Sequence, residues 1–230
     1  SIRKNIMENH SSYQLCKKIF TGHKQGAKLL NENLLAKKYG VSRATLREAL
    51  KILQSKGVIK SKQKTGTVLE EYKNLNFFDK DILSWSKGSK YADNMRKYFI
   101  QTRLMFEPEI AYLCAKNIDL KNKKELDSIY EALEMSIIKK DVEKLILADL
   151  AFHNKIILNC GNPILYKLSE FINHMLRLNF TDNNNKLKRI FIGWEDKYLK
   201  QHKDLKNFII KGNPLKAKNK MISIISANKI

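Results

Sequence analysis

Cysteine is scarce and unpaired in this chain of 230 residues: Cys16, Cys114 and Cys160 are odd in number, far apart and in no C-x-x-C pair. That excludes a disulfide framework and a thiolate zinc site, and leaves the three as buried small hydrophobes. Proline is confined to Pro108, Pro163 and Pro214, all beyond residue 100. No apolar run reaches the roughly 18 to 20 residues that cross a bilayer, and the opening SIRKNIMENHSS lacks the apolar stretch of a secretion signal. No membrane partner is therefore expected, and the expected location is cytoplasmic. Acidic side chains are the largest deficit. Against 44 Lys+Arg there are 23 Asp+Glu, a net charge of +21, which favours polyanionic partners.

Hydrophobic residues make up 43% of the chain and charged residues 29%, enough for a packed core and too apolar for a disordered polyelectrolyte. The length suits two modest domains. The charge is uneven: residues 1–70 hold 15 basic and 4 acidic side chains, a balance of +11, whereas the remaining 160 hold 29 and 19, or +10. Beyond residue 70, apolar residues recur at three- and four-residue steps. Residues 126–147 are one such run, and 96–117, 143–159, 163–179, 187–211 and 214–228 are others, so this part is mostly helix. Breaks fall at Cys160-Gly161-Asn162-Pro163 and at Gly212-Asn213-Pro214, and Thr181–Lys186 is a polar loop.

The first 70 residues differ. A short amphipathic helix over about Ser11–Thr21 precedes a basic turn, then a helix of under three turns at Asn31–Tyr39. Gly40-Val41-Ser42 follows, and Arg43–Lys56 makes another helix. Gly40 supplies the positive φ of a tight turn and Ser42 is a good N-cap. Two helices joined by a three-residue turn form a helix-turn-helix. Val58–Leu69 holds two β-prone runs around a polar tip, the hairpin of a winged helix. In such a motif the second helix enters the major groove with its N-terminal residues against base edges. Arg43, Thr45 and Arg47 occupy that position and Lys51 extends their face. An arginine fork can bond guanine O6 and N7 together. Lys62, Lys64, Thr65 and Gly66 in the hairpin would meet phosphate or the minor groove. The bland alternative is a solvated helix face with Arg47 paired to a nearby Glu.

The stretch Gly26–Val68 resembles the N-terminal domain of the GntR family of bacterial transcription regulators. Leu29, Glu32, Leu35-Ala36, Gly40-Val41-Ser42-Arg43, Leu46-Arg47-Glu48-Ala49-Leu50, Leu53, Gly57-Val58-Ile59 and Gly66-Thr67 carry the likeness. Departures are Gln25 and Thr45 where proline is frequent, Lys64 in place of a wing glycine, and Asn33 where some members have a DNA-contacting Arg. The resemblance implies a homodimer on a double-stranded DNA operator.

In the second part, Asp149 and His153 stand four apart on one helix face, about 6 Å from each other, and could share a metal with His202. A helix-stabilising pair is the alternative. Oxygen and nitrogen donors suit divalent Zn, Mn, Ni or Fe. Residues from roughly 95 onward look like the FadR-like (FCD) branch of the same family. The matching positions are Arg103-x-x-x-Glu107 with Ala111 and Ala115, Asp149-x-x-Phe152-His153, Gly161-Asn162-Pro163, His202, and Gly212-Asn213-Pro214 with Ala217 and Met221. In that branch an Asp and three His commonly hold a divalent metal, with a carboxylate effector at or beside it. Asp149, His153 and His202 match three ligands. Ile224 stands where the fourth is expected, and His174 has no counterpart. The site then keeps three protein ligands or has lost its metal. Arg103 is a candidate to bind the effector carboxylate as a fork, or else forms an interhelical salt bridge with Glu107 or another acid.

The expected fold is mainly α, an N-terminal winged helix-turn-helix plus a C-terminal all-helical bundle. Its divisions are a DNA-binding domain at 1–72, a linker helix region at 73–94, and an effector-binding and dimerisation domain at 95–230. In the linker, Asp79, Ile82, Leu83 and Trp85 resemble members of the family that respond to sugar acids, with Asn74 or a neighbour in place of a first Trp; an amphipathic linker helix that docks the two domains is the alternative. The expected function is a transcriptional regulator, by resemblance a repressor, whose operator binding is modulated by a small carboxylate. A DNA-binding dimer with a degenerate sensor is the alternative. A metal-dependent hydrolase lacks a general base beside the ligand motif, so no enzyme is expected.

Overall fold

The structure, a computed structural model, describes residues 2–62, 66–87, 92–182, 193 and 195–227. It divides into two compact units, Ser1–Met95 and Arg96–Ile230. The first contains α1 (Ile2–Gly22), α2 (Glu32–Tyr39), α3 (Arg43–Ser55), β1 (Ile59–Lys62), β2 (Gly66–Leu69), a 3-10 turn at Tyr72–Asn74 and α4 (Lys80–Lys87).

Capping defines the helix-turn-helix. The Asn31 side chain accepts from the Leu34 amide to start α2, Gly40 ends it in the left-handed region at φ 62°, and Ser42 accepts from the Thr45 amide to start α3. Each side-chain cap contributes on the order of 1 kcal/mol. Leu46, Ala49 and Leu53 turn one face of α3 into a core shared with Leu15, Cys16, Ile19 and Phe20 of α1, Leu35 and Ala36 of α2, and Val58, Ile59 and Leu69 of the hairpin. The expected first helix, Ser11–Thr21, is longer at its start, because no breaker stands ahead of Ser11 and the helix continues back to Ile2.

β1 and β2 pair antiparallel with Ile59 opposite Leu69 and Lys62 opposite Gly66. An edge the sequence pattern did not reveal lies beside them: Leu29 N donates to Thr67 O at 2.8 Å and Leu69 N to Ala27 O at 2.9 Å. The segment after the hairpin folds back on this unit. Asp79 Oδ1 caps α4 by accepting from the amides of Asp81 (2.8 Å) and Ile82 (3.2 Å). Lys56, which ends α3, reaches Asp79 and Asp81 at 2.7 Å each. Ile82, Leu83 and Trp85 are buried, with the Trp85 ring 5.6 Å from Tyr13 and 6.0 Å from Phe20.

The remaining helices are α5 (Ala92–Asn117), α6 (Leu120–Ile138), α7 (Val142–Leu158), α8 (Pro163–Asp182), α9 (Glu195–Ile210) and α10 (Pro214–Ser226). The helical run expected over 126–147 is two helices. Lys140 takes a positive φ of 51°, and Asp141 caps α7 by accepting from the Lys144 amide at 3.1 Å. Apolar spacing marks this break only by a single five-residue step, from Ile137 to Val142, between runs of three- and four-residue steps. Gly212 at φ 63° and Asn213, which caps α10 ahead of Pro214, make the turn expected there. Thr181 and Asp182 end α8 rather than open a loop. The rest of Thr181–Lys186, and residues 187–192 and 194 of the run expected over 187–211, lie outside the described residues. Within the second unit α6 packs on α7, α7 on α8, and α9 on both α6 and α10. Cys16, Cys114 and Cys160 are free and buried. Among the described residues no helix is long and apolar enough to cross a membrane.

Candidate functional site

Because Leu46, Ala49 and Leu53 face the core, the opposite side of α3 faces outward. Arg43, Arg47 and Lys51 are exposed there and Thr45 is half-buried. Arg47 Nε contacts Glu32 Oε2 at 2.9 Å, and both side chains stay largely exposed. Such a pair is worth about 0.2 to 1 kcal/mol, whereas a fork on a guanine discriminates by about 1 to 3 kcal/mol. The pair therefore orients Arg47 without holding it back from a stronger partner. Ser42 Oγ lies 2.8 Å from Thr45 Oγ1, which fixes that side chain at the helix entrance. Lys62 closes β1, and Gly66 opens β2 at φ 89°, a backbone state that a side chain at that position would strain. Lys64, Thr65 and the Lys62 side chain lie outside the described residues.

In the second unit, three helices bring i, i+4 pairs together: Arg103 and Glu107 on α5, with Glu107 behind Arg103 and His153; Asp149 and His153 on α7; Tyr198 and His202 on α9. Residues four apart share a helix face, and all of these but Tyr198 are at most 3% exposed. Arg103, Asp149, His153, Tyr198, Gln201, His202, Leu176 of α8 and Ile224 of α10 line a small cavity. The sequence reading anticipated Arg103, Asp149, His153 and His202. It gave Glu107 as a matching position and an ion-pair partner, and missed Tyr198, although Tyr198 stands one turn before His202. His174 is not among the lining residues.

Asp149 Oδ1 is the hub. Single ligand atoms of Asp149, His153 and His202 all lie within 4.8 Å of one another. His202 Nε2 is 3.3 Å and His153 Nε2 4.0 Å from Asp149 Oδ1, and the Tyr198 hydroxyl donates to the same oxygen. His202 Nδ1 lies 2.9 Å from the Tyr198 carbonyl. A carbonyl only accepts, so Nδ1 carries the proton. The Nε2 of a neutral ring then presents a lone pair to a carboxylate, buried and without a hydrogen-bond partner. A cation between them relieves that opposition, and a neutral imidazole anchored at Nδ1 is the form in which histidine binds a metal. The donor set fits a divalent ion. Ile224 lines the same cavity and contributes no donor.

Electrostatics agree. Burial alone would raise the Asp149 carboxyl, but the positive charge that His202 and His153 carry when protonated, together with the Tyr198 hydroxyl, holds it below the ordinary carboxylate range. Burial and the Asp149 charge push the Tyr198 phenol well up, which keeps it a donor. Burial also opposes ionisation of Glu107, yet Arg103 and His153 hold it at about 2. Arg103 Nε donates to Glu107 Oε1 at 2.5 Å and Nη2 to Oε2 at 3.2 Å. This ion pair lies within α5, not between helices. Arg103 Nη1 remains buried without a partner, on a side chain that lines the cavity, where a ligand oxygen would satisfy it.

An exposed basic recognition helix in one unit and a polar cavity buried among helices in the other define a winged-helix DNA-binding regulator with a helical sensor domain. The chain belongs to the GntR family of bacterial regulatory proteins, whose profile matches residues 14–69, in the branch carrying the FCD domain, matched over residues 99–227. It is similar to the HTH-type transcriptional regulator LutR of Bacillus subtilis strain 168, at 28% identity over 209 residues, 87% of this chain and 89% of that one. It is also similar to the galactonate operon transcriptional repressor of Escherichia coli strain K12, at 26% over 155 residues, 67% of each. A solved GntR protein of Streptococcus agalactiae shares 25% identity and a TM-score of 0.53, covering 96% of this chain and 97% of its own. These families and relatives are transcriptional regulators, not enzymes, which sets the hydrolase alternative aside.

Proposed function

We propose that this regulator binds its operator as a homodimer and that a small carboxylate, held with a divalent metal in the helical cavity, changes its affinity for that operator. Arg43, Thr45, Arg47 and Lys51 would read or grip the major groove, with Lys62, Lys64, Thr65 and Gly66 along the adjoining backbone. A two-fold dimer presents two such helices to a palindromic site. Asp149, His153 and His202 would hold the metal, which when bound supplies positive charge that draws an acid into the cavity. Arg103 Nη1 would take one carboxylate oxygen. The observation that carries the sensor half is the partnerless Nε2 of His202 facing Asp149. The relative that represses a galactonate operon supports a sugar acid as effector and repression as the mode. To alter DNA affinity, the acid must bind one dimer geometry better than the other.

The test is a fluorescence-anisotropy titration of the full chain on DNA from its own promoter region, with Zn²⁺ and a panel of hydroxycarboxylates, sugar acids and dicarboxylates. A shifted operator affinity with one acid supports the reading. Operator binding that ignores every acid and the metal identifies a DNA-binding dimer with a degenerate sensor, the case Ile224 would favour.

A further inference from the structure

We infer that Glu107 is the positioning residue that ties the acid-binding half of the helical cavity to its metal-binding half. The inference rests on the sensor reading above and adds a residue to it. One buried carboxylate faces three nitrogens: Oε1 accepts from Arg103 Nε at 2.5 Å, and Oε2 lies 3.2 Å from both Arg103 Nη2 and His153 Nδ1. Each contact has a consequence on the far side of its partner. By engaging Nε and Nη2, Glu107 leaves Nη1 as the unsatisfied donor of the Arg103 fork. By standing at Nδ1 of His153, it leaves Nε2 as the nitrogen facing Asp149 Oδ1, 4.0 Å away. The Nδ1 contact is close but not aligned as a hydrogen bond, so rotation of the ring is what remains to complete it.

Only an anion serves both partners. An imidazole holding a metal through Nε2 offers an N–H at Nδ1, and a guanidinium offers nothing but N–H groups. A glutamine at this position has one acceptor oxygen and one NH₂ group, so it must turn donors toward one of them. Glu107 therefore acts at a distance on both ligands: it orders the metal-binding histidine and aims the acid-binding arginine, while touching neither ligand itself. Carboxylates behind metal-bound histidines commonly contribute about 10- to 100-fold in affinity.

The test uses the full chain, with Glu107→Gln and Glu107→Asp, titrated with Co²⁺ alone and followed by visible absorption and calorimetry. A ¹⁵N-histidine spectrum of the Zn²⁺-loaded wild type is recorded beside them, with the His153 signals assigned by their loss in His153→Gln. The expected results are one Co²⁺ per chain in all three proteins, binding about 10- to 100-fold weaker in Glu107→Gln, partial recovery in Glu107→Asp, and a His153 ring protonated at Nδ1 and metal-bound at Nε2. Affinity of Glu107→Gln within twofold of wild type, or metal on Nδ1 of His153, overturns the role of Glu107 alone. No Co²⁺ uptake by the wild type overturns the metal reading and this inference with it. Should Glu107→Gln fail to fold, as circular dichroism would show, the wild-type ring nitrogens decide.

Discussion

His202 Nε2 lies 3.3 Å from Asp149 Oδ1 while Nδ1 of the same ring is committed to the Tyr198 carbonyl. The ring has one nitrogen anchored in the backbone and the other opposed to a carboxylate inside the protein. That opposition is costly when both groups are buried, and it marks a place where a cation is wanted.

Removing the hub should abolish metal uptake. Zn²⁺ or Co²⁺ is expected to raise the melting temperature of the wild type, since a ligand that binds only the folded state stabilises it. Asp149→Ala should show no such rise in differential scanning fluorimetry. An equal rise in both proteins would place the ion elsewhere.

Ile224 lines the cavity beside the three donors, so Ile224→His should supply a fourth. Calorimetry is expected to show binding of Co²⁺ at least about tenfold tighter, a gain of about 1.4 kcal/mol. Unchanged or weaker binding by a folded variant would mean that this position does not reach the ion.

The sign of the acid response follows from Glu107. Its carboxyl is held at about 2 in the folded chain, below its ordinary 4.5, so it contributes stability that is complete above 4.5 and is lost as pH falls toward 2. In denaturant titrations of metal-free protein, Glu107→Gln should lose less stability than wild type over that window. Parallel losses would contradict the assigned pairing.

Much of this was legible in the residues. Ser42, Gly40 and the apolar stripe of α3 identify the winged helix because caps, turns and periodicity are local properties. Asp149 and His153 are legible as a pair by their spacing, and His202 as a candidate third ligand. Three things were not. The Lys139–Asp141 break shows only as one five-residue step between apolar residues, from Ile137 to Val142. The edge formed by Ala27 and Leu29 depends on a partner strand some forty residues away. Glu107 and Tyr198 enter the site only because three separate helices converge, which no single helical pattern records.

On DNA, Arg43→Ala and Arg47→Ala should each relax specificity at a base position by about 1 to 3 kcal/mol. Lys62→Ala should instead weaken all sequences evenly and reduce the salt slope by about 1. Because the Glu32 pair is exposed, Glu32→Gln should change affinity by no more than about 1 kcal/mol. Anisotropy against specific and scrambled duplexes at several salt concentrations separates these outcomes; equal losses on both duplexes for all variants would deny the groove assignment.

The most direct test of the whole account is the operator affinity of the full chain measured with and without Zn²⁺ and a matching acid, beside Arg103→Met. The account predicts an affinity that the acid shifts severalfold in the wild type and leaves unchanged in the variant, with both proteins binding the operator alone equally well. An acid response that survives loss of the Arg103 guanidinium, or operator binding indifferent to every acid tried, would contradict it.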